Sequence, residues 1–160
     1  MRGTLMNMSP VRRLLWLWFV AFQAVHIGIN VRGLAQMTSG RGIGFPAPPP
    51  EGSWTEQALA FLMAMALVDL ANAALSVAAG TALLLGRASL RPLALIGVGV
   101  SIYAALVFDL ATWWSGAWRG PSSWSYVAIN ALFVPVVTLL AIETLSGGSA
   151  ETSAAPGAGL

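Results

Sequence analysis

The chain predicts an all-α integral membrane protein with four transmembrane helices in an antiparallel bundle. Three observations carry that reading. Hydrophobic residues make up 57% of the 160 residues and charged residues only 9%, far from the quarter charged that is usual in soluble domains. The apolar residues are gathered into four stretches, each long enough for a bilayer, which takes about 20 helical residues to cross. What remains is short connections and one tail, with no room for a separate soluble domain. Residues 1–145 therefore read as one four-helix domain, and 146–160 as a tail.

The first span is expected at Val11–Val31. Arg12 and Arg13 precede LLWLWFVAFQAVHIGIN, an order that a signal peptide also shows. Gln23, His26 and Asn30 in its second half, and the lack of a small-x-small cleavage site after it, favour a retained helix. The second span is expected at Thr55–Leu85, the third at Pro92–Trp114 and the fourth at Ser122–Leu145. Pro92 and Pro121 suit helix starts, where a missing N–H costs nothing. Trp54, Trp113, Trp114, Trp118 and Trp124 gather at one set of ends, and Trp16 and Trp18 near the other, as interface anchors do.

Between the first two spans, Arg32–Ser53 reads as a Gly/Pro-rich outer loop. Its PAPPP run favours extended polyproline II, and a loop of this length serves as a cap or docking segment or is disordered. GRGIG lacks the preceding strand that a phosphate-binding loop needs. The tail from Ser146 is small and polar and reads as disordered. VDLAN (Val68–Asn72) and FDLAT (Phe108–Thr112) resemble one another, a match that duplication or chance can supply.

Arginine placement orients the bundle. Arg2, Arg12, Arg13, Arg87 and Arg91 fall on one side; Arg32, Arg41 and Arg119 fall on the other. The excess puts both termini in the cytoplasm. All eight basic residues are Arg, an association with GC-rich bacterial genomes that makes a bacterial inner membrane the expected location. The net charge of +2 is scattered at segment ends, which is no footprint for nucleic acid.

The polar residues inside the spans are the candidate functional groups, because an ionisable side chain in a lipid-spanning helix is costly and marks a site or a buried pair. Gln23, His26 and Asn30 form one stripe on the first helix; Asp69, Asn72 and Ser76 form one on the second. Asp109 and Thr112 share a face of the third helix, and Tyr126 and Asn130 a face of the fourth. Counting about 1.5 Å per residue from the inner face places His26 and Asn130 about 20 Å up and Asp109 about 25 Å up, with Asp69 nearer the midplane. The expected constellation is His26, Asp109 and Asn130 in the outer half, with Asp69, Asn72 and Tyr103 beneath. Pro135 deprives the Ala131 carbonyl of its helical donor. The resulting kink, one turn from Asn130, either widens a pocket or serves packing. Small residues (Gly97, Ser101, Ala105 on the third helix; Ala60, Ala64, Asn72, Ser76, Gly80 on the second) let backbones approach in lipid.

Each group has two readings. His26 is a proton-exchanging or ligand-contacting residue, or helix glue bonded to Asp109 or Asn130. Asp69 and Asp109 carry protons or receive a cationic group, or serve in structural pairs, with Arg32 or Arg119 in reach of Asp109. Glu143 reads as a surface ion pair beside Arg13 and Arg87. The absence of cysteine excludes disulfides, thiolate catalysis and Cys-ligated metal sites. A single histidine excludes a bis-histidine haem within one chain. No catalytic or metal-binding constellation is evident, and no cofactor is specified.

In length, basicity and tryptophan content the chain resembles the bacterial tryptophan-rich sensory (translocator) proteins. Those have five spans and Trp/Pro-rich motifs that are missing here, so no family is assigned. Membrane lipids are the expected surroundings. The leading functional expectation is an accessory or scaffold subunit, packed against itself or other membrane subunits. The alternatives are a proton-linked transporter or binder of a small lipophilic or cationic molecule using the His/Asp/Asn cluster, and an isomerase-like enzyme on a lipophilic substrate.

Overall fold

The computed structural model describes residues 8–41 and 43–151, with side chains as far as Leu145. Arg2 and the tail residues 152–160 lie outside the described residues. Among the described residues every regular element is a helix: α1 at Pro10–Thr38, α2 at Glu56–Leu84, α3 at Arg91–Trp114 and α4 at Trp124–Glu151. All four are long and apolar enough to cross a bilayer, the signature of a multi-pass membrane protein.

Local chemistry sets the boundaries. Ser9 caps α1 by accepting from the Arg12 N–H at 3.3 Å, with Pro10 as the first helical residue. Thr55 caps α2 through the Ala58 N–H at 3.2 Å. These side-chain acceptors satisfy donors that a helix start otherwise leaves open. Helix α1 runs past Val31, where the first span was expected to end, because nothing in RGLAQMT breaks it. It stops at Gly40, whose φ of +69° lets the Arg41 N–H turn back to the Gln36 carbonyl at 3.0 Å. Helix α4 likewise continues past Leu145 to Glu151, beyond the expected start of the tail.

Two apolar clusters occupy opposite ends of the bundle. One joins Trp16 and Phe19 of α1, Ala79 and Leu83 of α2, Ala94 and Val98 of α3, and Phe133, Val136 and Leu139 of α4. It therefore brings together the start of α1, the end of α2, the start of α3 and the later half of α4, as an up-down-up-down order requires. The other joins Leu62 and Tyr126, near the starts of α2 and α4, with Ile43, Ala47 and Trp54 of the first connection and Ala117 of the last. The first connection is thus a folded cap. Tyr126 donates to the Pro48 carbonyl at 2.6 Å, Trp54 donates to the Ala47 carbonyl at 3.1 Å, and Trp118 stacks on Tyr126 at 5.2 Å. Trp113, Trp114 and Trp124 stay on the outer surface, where anchors belong. Trp16, Trp54 and Trp118 do not, since each spends its N–H inside the protein.

Glu143 departs furthest from its expected place. It is 1% exposed and no surface residue. Arg12 grips both of its carboxylate oxygens, Arg91 donates from Nε at 2.9 Å, and the Trp16 indole N–H donates at 2.8 Å. The physical reason is helical phase: Glu143 stands on the same α4 stripe as Phe133, Val136 and Leu139, which face the core. Arg12 and Arg91 reach that stripe, rather than the expected Arg13 and Arg87. Donors from three residues on one carboxylate compensate a charge that would otherwise be strongly penalised.

The small residues allow the remaining close contacts. A Cβ on Gly97 would lie 2.4 Å from Ser76 Oγ, and one on Gly80 would lie 2.7 Å from a Val20 methyl. Gly99 has open space instead. Three outcomes are expected in reversible unfolding from mixed micelles. Glu143→Ala strands two arginines and costs about 3–5 kcal/mol. Gly97→Leu overpacks the α2–α3 contact and costs about 1–3 kcal/mol, while Gly99→Ala is neutral or stabilising by up to about 1 kcal/mol.

Candidate functional site

Between the two clusters the helices do not close. They surround a cavity of about 460 Å³, within the range of small-molecule sites. Its walls are largely apolar, with Phe22, Ile29, Leu62, Met65, Phe108 and Phe133 among them, and Ile43, Phe45, Pro46 and Ala47 of the cap reach over one end. Into it project Gln23, His26, Asn30, Asp69, Ser101, Asp109 and Asn130.

The floor is a junction of three helices. Ser101 of α3 accepts from Gln23 Nε2 of α1 at 2.7 Å and from Asn72 Nδ2 of α2 at 2.9 Å, and donates to the Gly97 carbonyl at 2.8 Å. The hydroxyl is saturated, and the three helices are fixed at one level. Gln23 Oε1 is left without a partner although the residue is only 2% exposed. Below this junction the sealed apolar cluster and Glu143 begin.

Above the floor stand two pairs. His26 Nε2 lies 2.7 Å from Asp69 Oδ2, and Asn130 donates to Asp109 Oδ1 at 3.1 Å. The second pair ties α3 to α4, and Asn130 also donates to the Tyr126 carbonyl of its own helix at 3.0 Å. The buried Asn30 Nδ2 has no partner.

Five of the seven expected residues thus line one cavity: His26, Asn30, Asp69, Asp109 and Asn130. Asn72 supports the floor from behind and does not line it. Tyr103 is elsewhere: it is 69% exposed on the outer surface. Depth along α3 had suggested it, but two residues past Ser101 a helix has turned about 200°, to the opposite face. The pairing also differs from expectation. His26 was set beside Asp109 or Asn130 and meets Asp69 instead. His26 stands 16 residues after Pro10 and Asp69 15 before Leu84, so both lie about 23 Å from their shared end. Asp109 takes an amide partner rather than Arg32 or Arg119. Gln23 and Ser101 were visible as members of polar and small-residue stripes, but their meeting required the fold.

Pro135 lies within α4. One residue along from the Ala131 carbonyl that it orphans, the Leu132 carbonyl accepts from the Trp18 indole N–H at 3.1 Å. A proline-loosened turn exposes carbonyls, and in lipid these need a donor. Trp18 supplies one and ties α1 to α4 at the cavity's edge.

No family model matches the chain, no curated protein is significantly similar to it, and no solved structure matches it significantly.

The His26–Asp69 contact makes a direct prediction. In a double-mutant cycle with His26→Ala and Asp69→Asn, unfolding should show a coupling of about 0.5–3 kcal/mol. Coupling of His26 to Asn130 in its place would put the imidazole where counting from the span ends had set it.

Proposed function

We propose that the chain is a ligand-binding protein of the membrane, holding one small lipophilic molecule that carries a polar or cationic group. The observation that supports this is the cavity itself: apolar walls, a few convergent polar groups, and buried amide atoms of Gln23 and Asn30 still lacking partners. Ligand sites have this make-up, apolar enclosure with a small number of placed polar groups that orient the guest. A core shaped only for stability leaves neither a void of this size nor unmatched buried polar atoms.

The leading expectation from the sequence, a scaffold subunit, drew on the Gly/Pro-rich docking loop and the small-residue faces as surfaces for association. Gly80 and Gly97 spend those faces on Val20 and Ser76 within the chain, so they give no support to a partner. The proposed setting is a bacterial inner membrane with both termini in the cytoplasm. The capped end, with its exposed Trp113, Trp114 and Trp124, then faces outward.

Native mass spectrometry from mild detergent tests the binding reading: the expected result is a retained small molecule, lost after Asp69→Asn or Asp109→Asn while the protein stays folded. Consistently empty protein, or protein retained only with partner chains, would favour the scaffold. Conversion of a component of a lipid extract, abolished by the same changes, would favour an enzyme. Orientation is tested separately, because a chain without cysteine accepts single labels cleanly. Ser39→Cys and Ser122→Cys should react with an impermeant maleimide from outside the cell, and Ala88→Cys should not.

A further inference from the structure

The cavity has a side opening, and its position is legible from exposure. Among its lining residues only Trp18, Ala21 and Val25 of α1, Phe45 of the cap and Leu132 of α4 are exposed. Val25 is 63% exposed and Leu132 45%. The lining residues of α2 and α3 are all buried or half-buried. The gap therefore lies between α1 and α4. The Trp18–Leu132 hydrogen bond closes it toward the sealed end, and Phe45 overhangs it at the other. Every residue at its rim is apolar, and it opens along the lengths of two spans, at the level of hydrocarbon rather than water.

The inner lining is one-sided in its chemistry. It presents the carboxylates of Asp69 and Asp109 and the buried, unpaired Gln23 Oε1, all acceptors, against the imidazole of His26 on Asp69 and the buried, unpaired donor Asn30 Nδ2. Among the described residues no Arg or Lys lines it. Asp69 has His26 at 2.7 Å, whereas Asp109 has only the neutral amide of Asn130, and among the described residues no cationic side chain forms an ion pair with it. Asp109 and the floor residue Ser101 are eight residues apart, about 12 Å along α3, which is room for a short apolar body below a charged head. A carboxylate away from water is stabilised by an ammonium that donates hydrogen bonds to it.

We infer that the cavity takes its ligand sideways from the bilayer through the α1–α4 gap, and that this ligand is a lipophilic amine whose ammonium is received by Asp109. This rests on the reading of the cavity as a ligand site, and names the ligand's class and its route.

Photolabelling in phosphatidylcholine nanodiscs tests it. The probes are three diazirine-bearing medium-chain amphiphiles of one length, an amine, an alcohol and a carboxylic acid, at equal membrane concentration, with labelled peptides mapped by mass spectrometry. Labelling of cavity residues on α1 and α4 should favour the amine over the alcohol at least about tenfold, the ratio a charge-assisted hydrogen bond supplies, with the acid weakest. Asp109→Asn should bring the amine-to-alcohol ratio close to one, a ratio that cancels any change in the amount of folded protein. Ala21→Trp, at the rim, should slow labelling by amine and alcohol alike. Equal labelling by the three probes in the unaltered protein would overturn the ligand class while leaving the cavity a binding site. Unchanged rates in Ala21→Trp would overturn the route. Labelling of the cavity by none of the probes would overturn the binding reading itself, and this inference with it.

Discussion

One carboxylate organises the sealed end of this bundle. Glu143 comes from the end of α4 and is held by Arg12 from the start of α1, Arg91 from the start of α3 and the indole of Trp16. In hydrocarbon such a charge is tolerable only with its donors in place, so helical rotation and register at this end are specified together. Helix α2 is brought in by shape instead, through Gly80 against Val20 and Gly97 against Ser76. The apolar cluster above Glu143 is fully enclosed as a result. With one end anchored in this way, the helices can stand apart further along and still form a single structure.

The other end is held differently. There the connection between α1 and α2 folds inward, and its carbonyls find Tyr126 and Trp54. Prolines lack an N–H to satisfy, so a Pro-rich segment leaves fewer unmet donors when it lies against a bundle end. Between anchor and cap, polar side chains from all four helices pair across neighbours: His26 with Asp69, Asn130 with Asp109, and Gln23 and Asn72 on Ser101. Each bond closes one helix pair or triad, and the α1–α4 side is left with Trp18 alone on the Leu132 carbonyl. The cavity's open side follows from that distribution.

Much of this was legible in the residues. Length and apolar runs specify four spans, because a bilayer demands them. Residue spacing assigns His26, Asn30, Asp69, Asp109 and Asn130 to inward stripes, since polar groups turn away from lipid. Heights were less legible. Asp69 was set near the midplane, yet it stands 15 residues before Leu84 at the end of α2, level with His26, which stands 16 residues after Pro10. That misplacement paired His26 with the wrong partner. Tyr103 was placed by height without regard to phase. Glu143 was judged by its proximity to the membrane surface, although its spacing from Phe133, Val136 and Leu139 already put it on the core face. The Gln23–Asn72–Ser101 junction joins three helices, and no one-dimensional pattern contains it.

The closed floor has a consequence for what such a molecule can accomplish unaided. In the proposed reading, a guest that enters through the α1–α4 gap leaves through the same gap. Vectorial movement of a guest from one leaflet to the other would require the Glu143 anchor and the tight layer above it to come apart, and that is the most heavily tied part of the chain. On the proposed reading, this architecture suits retention, sequestration or sensing of a guest better than its passage.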